Sequence, residues 1–490
     1  MATIDYKQQS LISVKWCYAG SLVPKIISPI IFFLLARWLS PKDFGLIAVA
    51  YLVISLIEMS REAGTSRAII QSDLDEKTIF SISFVVNCIL GIVSFTILYA
   101  AAPLIAKFFQ SSESSAILRI LGIQILLSSL SLSYQSIIKK RIDFKKLFFI
   151  NTIPSATQIF ITLPLAYFGF GVWSIVYGQL AASFLRTISF LIALPWVPQI
   201  RIDYKKTKQI LRFGLYCYLE AMLGWVYLWG DKAILGKFVT ISSLGNYMLA
   251  AHATSNIGNA SIFPISQVVY PYLCKEKNSQ NFKPFIYRLL SHFSIVSLFM
   301  GLILFHMASI LPQILDEKWT GIVFPFALLS ICTTFSMIFT YIIPDAIKAV
   351  GKPDILFRFQ LLKLIYTLPI FTLGAYLNGV NGFCIAKLIT VIIGCILFCW
   401  LGVNYLELSY RSIFHSLKNP FLSFFATFVL LIWLKQSILI YVPPIFTFTI
   451  ILGIGFSAYF CFLLIIDKQL IKDFVILCIR VIPKPMSTNS

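Results

Sequence analysis

Runs of about twenty predominantly apolar residues, the length of helix that crosses a bilayer, recur from one end of this 490-residue chain to the other. Fourteen are read, at 13–36, 44–65, 80–106, 117–138, 148–168, 172–197, 211–235, 244–271, 285–312, 322–347, 359–377, 380–403, 420–439 and 443–466. They are continuous rather than alternating, which argues for spanning helices and against a β-barrel. Only 12% of residues are charged, against roughly 25% in soluble domains. The apolar content excludes disorder, and the length excludes a small secreted disulfide scaffold. The excess of basic residues is diluted through an apolar chain, which is not the footprint of a nucleic-acid binder. The fold class expected is an all-α integral membrane protein. The first span lacks a cleavage site and reads as a retained helix.

Lys and Arg divide the loops into two classes. The 40 basic residues exceed the 20 acidic ones, a net charge of +20. On the side of the N-terminus lie, among others, Lys139 to Arg141, Lys145 and Lys146, then Arg201, Lys205, Lys206, Lys208 and Arg212, then Lys348, Lys352, Arg358 and Lys363. The alternate loops hold only Arg37, Lys42, Lys107, Arg119, Lys237, Lys318 and Lys435. The bias places both termini in the cytoplasm and gives the basic loops anionic lipid as their neighbour. The ten Cys are scattered, with no C-x-x-C pair, and read as packed thiols.

Sliding the chain by 200 residues lays Leu34–Ala50 over Ile234–Ala250, with Gly45 on Gly245 and Ala50 on Ala250. Ala102–Phe109 then resembles Ala308–Leu315, and Ile138-Lys139 answers Ile347-Lys348 as the offset grows. Two six-span repeats in the same orientation predict lobes at 1–200 and 201–410, related by a pseudo-two-fold axis along the membrane normal with a cavity between them. Spans 13 and 14 (411–466) stand outside the repeat, and the tail 467–490 reads as a cytoplasmic amphipathic helix.

Motifs of bond-making chemistry are missing. The sequence has no P-loop, no H-E-x-x-H and no G-x-S-x-G, so neither a catalytic residue nor a metal site is expected. Transport is the better default, and the charges inside spans are its candidates, because each is costly unless it faces a partner or a wet cavity. Lys25, Arg186, Lys232 and Lys387 are candidate substrate-binding cations. Lys25 sits between Pro24 and Pro29, which bend span 1. Glu58, Arg61 and Glu62 form a cluster with i,i+3 and i,i+4 spacing at the inner end of span 2. With Glu220, Asp231 and Asp345 they are candidates for coupling or gating, the plainer alternative being local ion pairs.

Short motifs in order along spans 1–12 resemble the Wzx-type polysaccharide flippases of the multidrug/oligosaccharidyl-lipid/polysaccharide exporter superfamily. They include LARWLSPKDFGLIAVA with EAGTSRAIIQS, then APLIAKFF, KKRIDFKKL, GFGVWSIVYG, DKAILGKF, SLGNYMLA, VVYPYL and AVGKPDI. The resemblance implies two six-helix lobes, alternating access, and undecaprenyl-diphosphate-linked oligosaccharide as substrate. It also implies a cationic role for Lys25, coupling to a proton or sodium gradient with no bound cofactor, and a polysaccharide polymerase and chain-length regulator as partners. Multidrug export would want an acidic cavity, and flipping of a peptidoglycan precursor is a close variant. A membrane glycan polymerase or ligase would show a long external loop, and the external loops here are short.

Overall fold

The structure, a computed structural model, describes residues 30–61, 66, 69, 75–141, 143–196, 222–223, 225–226, 228–437 and 442–472. Those residues form helices and connecting turns, with no strand among them. The helices are α1 (Pro41–Arg61), α2 (Glu76–Phe108), α3 (Glu113–Leu121), α4 (Ile123–Lys140), α5 (Phe144–Tyr167), α6 (Val172–Ala193), α7 (Ile241–Glu276) and α8 (Phe282–Met307). There follow α9 (Leu311–Leu315), a 3-10 turn (Glu317–Ile322), α10 (Val323–Thr340), α11 (Ile342–Ala349), α12 (Pro353–Leu406), α13 (Tyr410–Ser437) and α14 (Pro444–Ile466). Among the described residues nine helical stretches are long and apolar enough to cross a membrane. One of the nine contains two predicted spans, because α12 reverses at Asn378 and Gly379, where the backbone leaves helical angles. The chain is a multi-pass membrane protein. The predicted spans 13–36 and 211–235 fall largely outside the described residues.

Local chemistry explains where helices start and stop. Asp75 caps α2 by accepting from Thr78 N at 2.9 Å, and Asp143 caps α5 by accepting from Lys146 N at 3.1 Å. At α1 the box is reciprocal: Ser40 N donates to Asp43 Oδ2 at 2.8 Å while Asp43 N donates to Ser40 Oγ at 3.3 Å. Span 10, expected as one helix, is broken between α10 and α11. Pro344 supplies no N–H to the Thr340 carbonyl and its ring crowds that oxygen, so α10 ends at Thr340. Beyond α14, Asp467 caps a short helical segment by accepting from Leu470 N at 2.9 Å; the tail past 472 lies outside the described residues.

The chain separates into two compact units, Met1–Met248 and Leu249–Ser490. In the first, α2 packs on α4, α4 on α6 and α5 on α6. One end is filled by Ile79, Phe80, Tyr134, Ile137 and Phe190, and there Tyr134 Oη donates to the Trp196 carbonyl at 2.9 Å. In the second unit α8 is the spine, packed against α10, α13 and α14. Ser291 Oγ donates to the Ser416 carbonyl at 2.7 Å, Lys435 Nζ bonds Ser309 Oγ, and Asn419 Nδ2 donates to Asp467 Oδ2 at 2.9 Å. Spans 13 and 14, outside the sequence repeat, are thus built into the second unit.

The repeat is visible in local geometry. Gln110 and Asp316, which follow the matched segments Ala102–Phe109 and Ala308–Leu315, both have positive φ, 52° and 148°. The turn before α6 places Gly171 at φ 53°, ψ −137°, and the reversal of α12 places Gly379 at φ 51°, ψ −132°. Only glycine enters that region without strain, so each unit turns the chain with the same device.

Candidate functional site

In the first unit the embedded charges converge on one face of α1. Arg186 projects from α6, and its Nε is buried with no hydrogen-bond partner among the described residues. The Glu58 carboxylate of α1 attracts it electrostatically. Glu58 in turn accepts from Gln124 Nε2 of α4 at 2.9 Å. One turn earlier on α1, Ser55 Oγ accepts from Trp225 Nε1 at 3.0 Å. A cation, a carboxylate, an amide and an indole from four segments therefore meet in an apolar bundle. Gln124 and Trp225 were not singled out in the sequence, because a partner so far along the chain leaves no local pattern.

Asp231 and Lys232 are brought together as a pair. Lys232 Nζ lies 3.1 Å from Asp231 Oδ1, donates to the Leu228 carbonyl at 3.0 Å and sits 4.9 Å from the centroid of the Trp229 ring. Asp231 Oδ2 accepts from the buried Tyr247 hydroxyl at 2.9 Å. The lysine folds back along its own helix, so its charge is already answered. Lys25, Glu62 and Glu220 lie outside the described residues, as does the side chain of Arg61.

In the second unit Lys387 lies in the returning half of α12, where its charge reaches Cys384 and, on α10, Cys332. Lys363, counted with the cytoplasmic loops although the predicted span 359–377 already contains it, lies ten residues inside α12, which starts at Pro353. Proline at the first helical position was the signal for the earlier start. The Lys363 charge reaches Cys395, and one turn on, Thr367 Oγ1 is buried without a partner among the described residues. Counted from the Gly379 reversal, Lys387 and Lys363 stand about 12 and 24 Å along their helices, inside a hydrocarbon core of about 30 Å. Asp345 makes an i,i+3 pair with Lys348 at 3.0 Å. None of the seven described cysteines is joined in a disulfide, and no group of three His, Cys, Asp or Glu suited to a metal occurs among the described residues.

Charges at the span ends have surface partners. Arg141 is held above its usual range by its hydrogen bond to Glu76, 2.5 Å from Nη2 to Oε2. The hydrogen bond from Lys283 at 2.8 Å holds the Glu407 carboxyl below the usual carboxylate range. Such exposed pairs contribute little stability. The embedded cations differ: a buried guanidinium with an open N–H is a ready receptor for a phosphate or carboxylate oxygen, and its low-dielectric setting strengthens the bond.

Comparison with known proteins agrees with this anatomy. A family model described as polysaccharide biosynthesis protein matches residues 34–324. The lipopolysaccharide biosynthesis protein WzxC of Escherichia coli (strain K12) is 22% identical over 85% of this chain and 86% of its own. The teichuronic acid biosynthesis protein TuaB of Bacillus subtilis (strain 168) is 25% identical over 85% and 86%. A solved structure of the lipid II flippase MurJ, in an inward closed conformation, superposes with a TM-score of 0.75, covering 94% of this chain and 100% of that one at 15% identity. At that identity the likeness is one of fold. With its helical bundle on the MurJ fold and well over half its length matched by the family model, the chain belongs to the polysaccharide biosynthesis protein family.

Proposed function

We propose that this protein moves an undecaprenyl-diphosphate-linked oligosaccharide unit from the cytoplasmic to the outer face of the bacterial inner membrane, for assembly of a surface polysaccharide. The carrying observation is Arg186, a half-buried cation whose Nε is itself buried with no hydrogen-bond partner among the described residues, set in an apolar bundle of a polysaccharide biosynthesis family member. A diphosphate and its glycan cannot cross hydrocarbon unaided at tolerable cost. Arg186 in the first unit and Lys387 in the second are each assigned as cations for that headgroup, as Lys25 is from the sequence, while the lipid tail stays in the bilayer. Lys232, paired with Asp231, holds the outer end of its helix rather than the substrate. Glu58, beside Arg186, is the residue assigned to coupling with a proton or sodium gradient. Both termini are assigned to the cytoplasm from the Lys and Arg bias, and a polymerase and chain-length regulator would receive the product.

The test is the sidedness of the lipid-linked oligosaccharide in cells lacking the protein. The expected result is intact units trapped on the cytoplasmic face, released by the wild-type gene and at least about tenfold less by Arg186→Ala. Units that reach the outer face at the normal rate in the deletion strain would sink the reading.

A further inference from the structure

Two helix starts in the first unit meet closely at their glycines. A Cβ built on Gly45 of α1 collides with the carbonyl oxygen of Ile241, and one built on Gly245 of α7 collides with the carbonyl oxygen of Pro41 and falls 2.8 Å from Gly45 N. Gly45 and Gly245 are the same position of the two repeats, and so are Pro41 and Ile241. The contact is therefore reciprocal, as a two-fold requires: each glycine sits on the carbonyl that its counterpart's helix offers. All four residues belong to the same compact unit.

Each side of this joint is fastened to its own surroundings. On the α1 side, Asp43 Oδ1 accepts from Val172 N at the start of α6 at 3.0 Å, and Lys42 pairs with Glu113 at 2.5 Å. On the α7 side, Tyr247 donates to Asp231 at 2.9 Å, and Thr240 Oγ1 accepts from Ser243 N at 3.2 Å. Across the joint, among the described residues, no hydrogen bond joins Pro41 or Gly45 to Ile241 or Gly245. What holds it is close packing about the two glycines, the Ile241 Cγ2 methyl included. Two anchored ends meeting at a contact that no hydrogen bond crosses can part and rejoin without breaking one.

We propose that the Gly45–Gly245 contact is the outer seal of the transport cycle, closed while substrate is loaded and parted when it leaves. The proposal rests on the flipping and orientation read above, which put the starts of α1 and α7 at the outer face. Its device is steric: no residue with a Cβ fits either position without holding the two helix starts apart.

The test combines two readouts. Ala48→Cys, one turn into α1 from Gly45 and 2% exposed, is labelled from outside with a membrane-impermeant maleimide, the parent chain serving as background. Outer-face arrival of the lipid-linked unit is followed in parallel. Gly45→Ala and Gly245→Ala are each expected to raise labelling at least about fivefold and lower arrival at least about tenfold. The double variant should be no worse than either single one, since both wedge the same joint. Gly453→Ala, at a position with no atom within 4 Å, should leave both readouts unchanged. Wild-type labelling and arrival in both alanine chains would overturn the seal. Should an alanine chain fail to accumulate, Ala48→Cys with both glycines intact decides the matter. Labelling is expected in working cells and protection in cells unable to build the oligosaccharide; equal labelling in both overturns the proposal. A deletion strain that traps no precursor would refute flipping, whereas the labelling response to Gly45→Ala would still judge the joint.

Discussion

Arg186 carries two costs that a substitution series can separate. Its charge is desolvated, and it is balanced in part by Glu58, which Gln124 steadies at 2.9 Å. Both residues are half-buried, and removing one charge leaves the other in an apolar bundle without its counter-charge. Arg186→Ala should therefore lower both protein level and transport, because an uncompensated Glu58 remains. Arg186→Ala with Glu58→Gln should restore the level, measured by thermal unfolding in detergent, yet leave transport at least about tenfold down. If the double variant transports normally, Arg186 is only a structural partner of Glu58. The arginine itself was legible in the sequence, since a lone cation in an apolar run advertises its cost. Its neighbours were not, because Gln124 and Trp225 look ordinary until folding sets them against α1. Lys363 was misplaced for another reason: it lay inside the predicted span 359–377, but a lysine about one turn from a span end reads as part of the loop.

Helices and turns followed the sequence where the signal was chemical and local. Apolar runs, the Ser40–Asp43 box and the Asp75 and Asp143 caps all mark their elements. Pro344 interrupts span 10 between α10 and α11 without ending it, since the helical stretch runs on to Ala349. The reversal of α12 was placed correctly between two spans, but its backbone angles became apparent only beside those of Gly171. Gly379→Ala forces a side chain into a region open to glycine, at about 1–3 kcal/mol. The melting temperature in detergent should fall by several degrees relative to Gly453→Ala, which meets open space at ordinary angles. Identical melting for the two would mean that α12 can reverse by another route.

The sequence repeat ends near 410, yet the second unit extends over α13 and α14, and their attachment makes the clearest prediction for the molecule as a whole. Apolar contacts between helices gain little inside a bilayer, since lipid replaces them nearly as well. What fixes α13 to α8 is polar: Ser291 to the Ser416 carbonyl, and Lys435 to Ser309. Beside them His306, 3% exposed, donates from Nδ1 to the Leu302 carbonyl at 2.9 Å, with Phe428 of α13 against its ring at 5.2 Å. Ending the chain after Leu408 removes that cover and leaves the imidazole, whose Nε2 already has no hydrogen-bond partner among the described residues, against lipid instead of the Phe428 ring. The shortened chain should accumulate at least about fivefold less in membranes, and His306→Phe should recover part of the loss, because lipid accepts a phenyl ring. The comparison is quantitative immunoblotting of membranes from cells expressing the full chain, the shortened chain and its His306→Phe form. Equal levels of the full and shortened chains would mean that lipid covers this face of α8 as well as α13 does. A loss that His306→Phe leaves untouched would instead put the attachment in the Lys435–Ser309 and Ser291–Ser416 bonds.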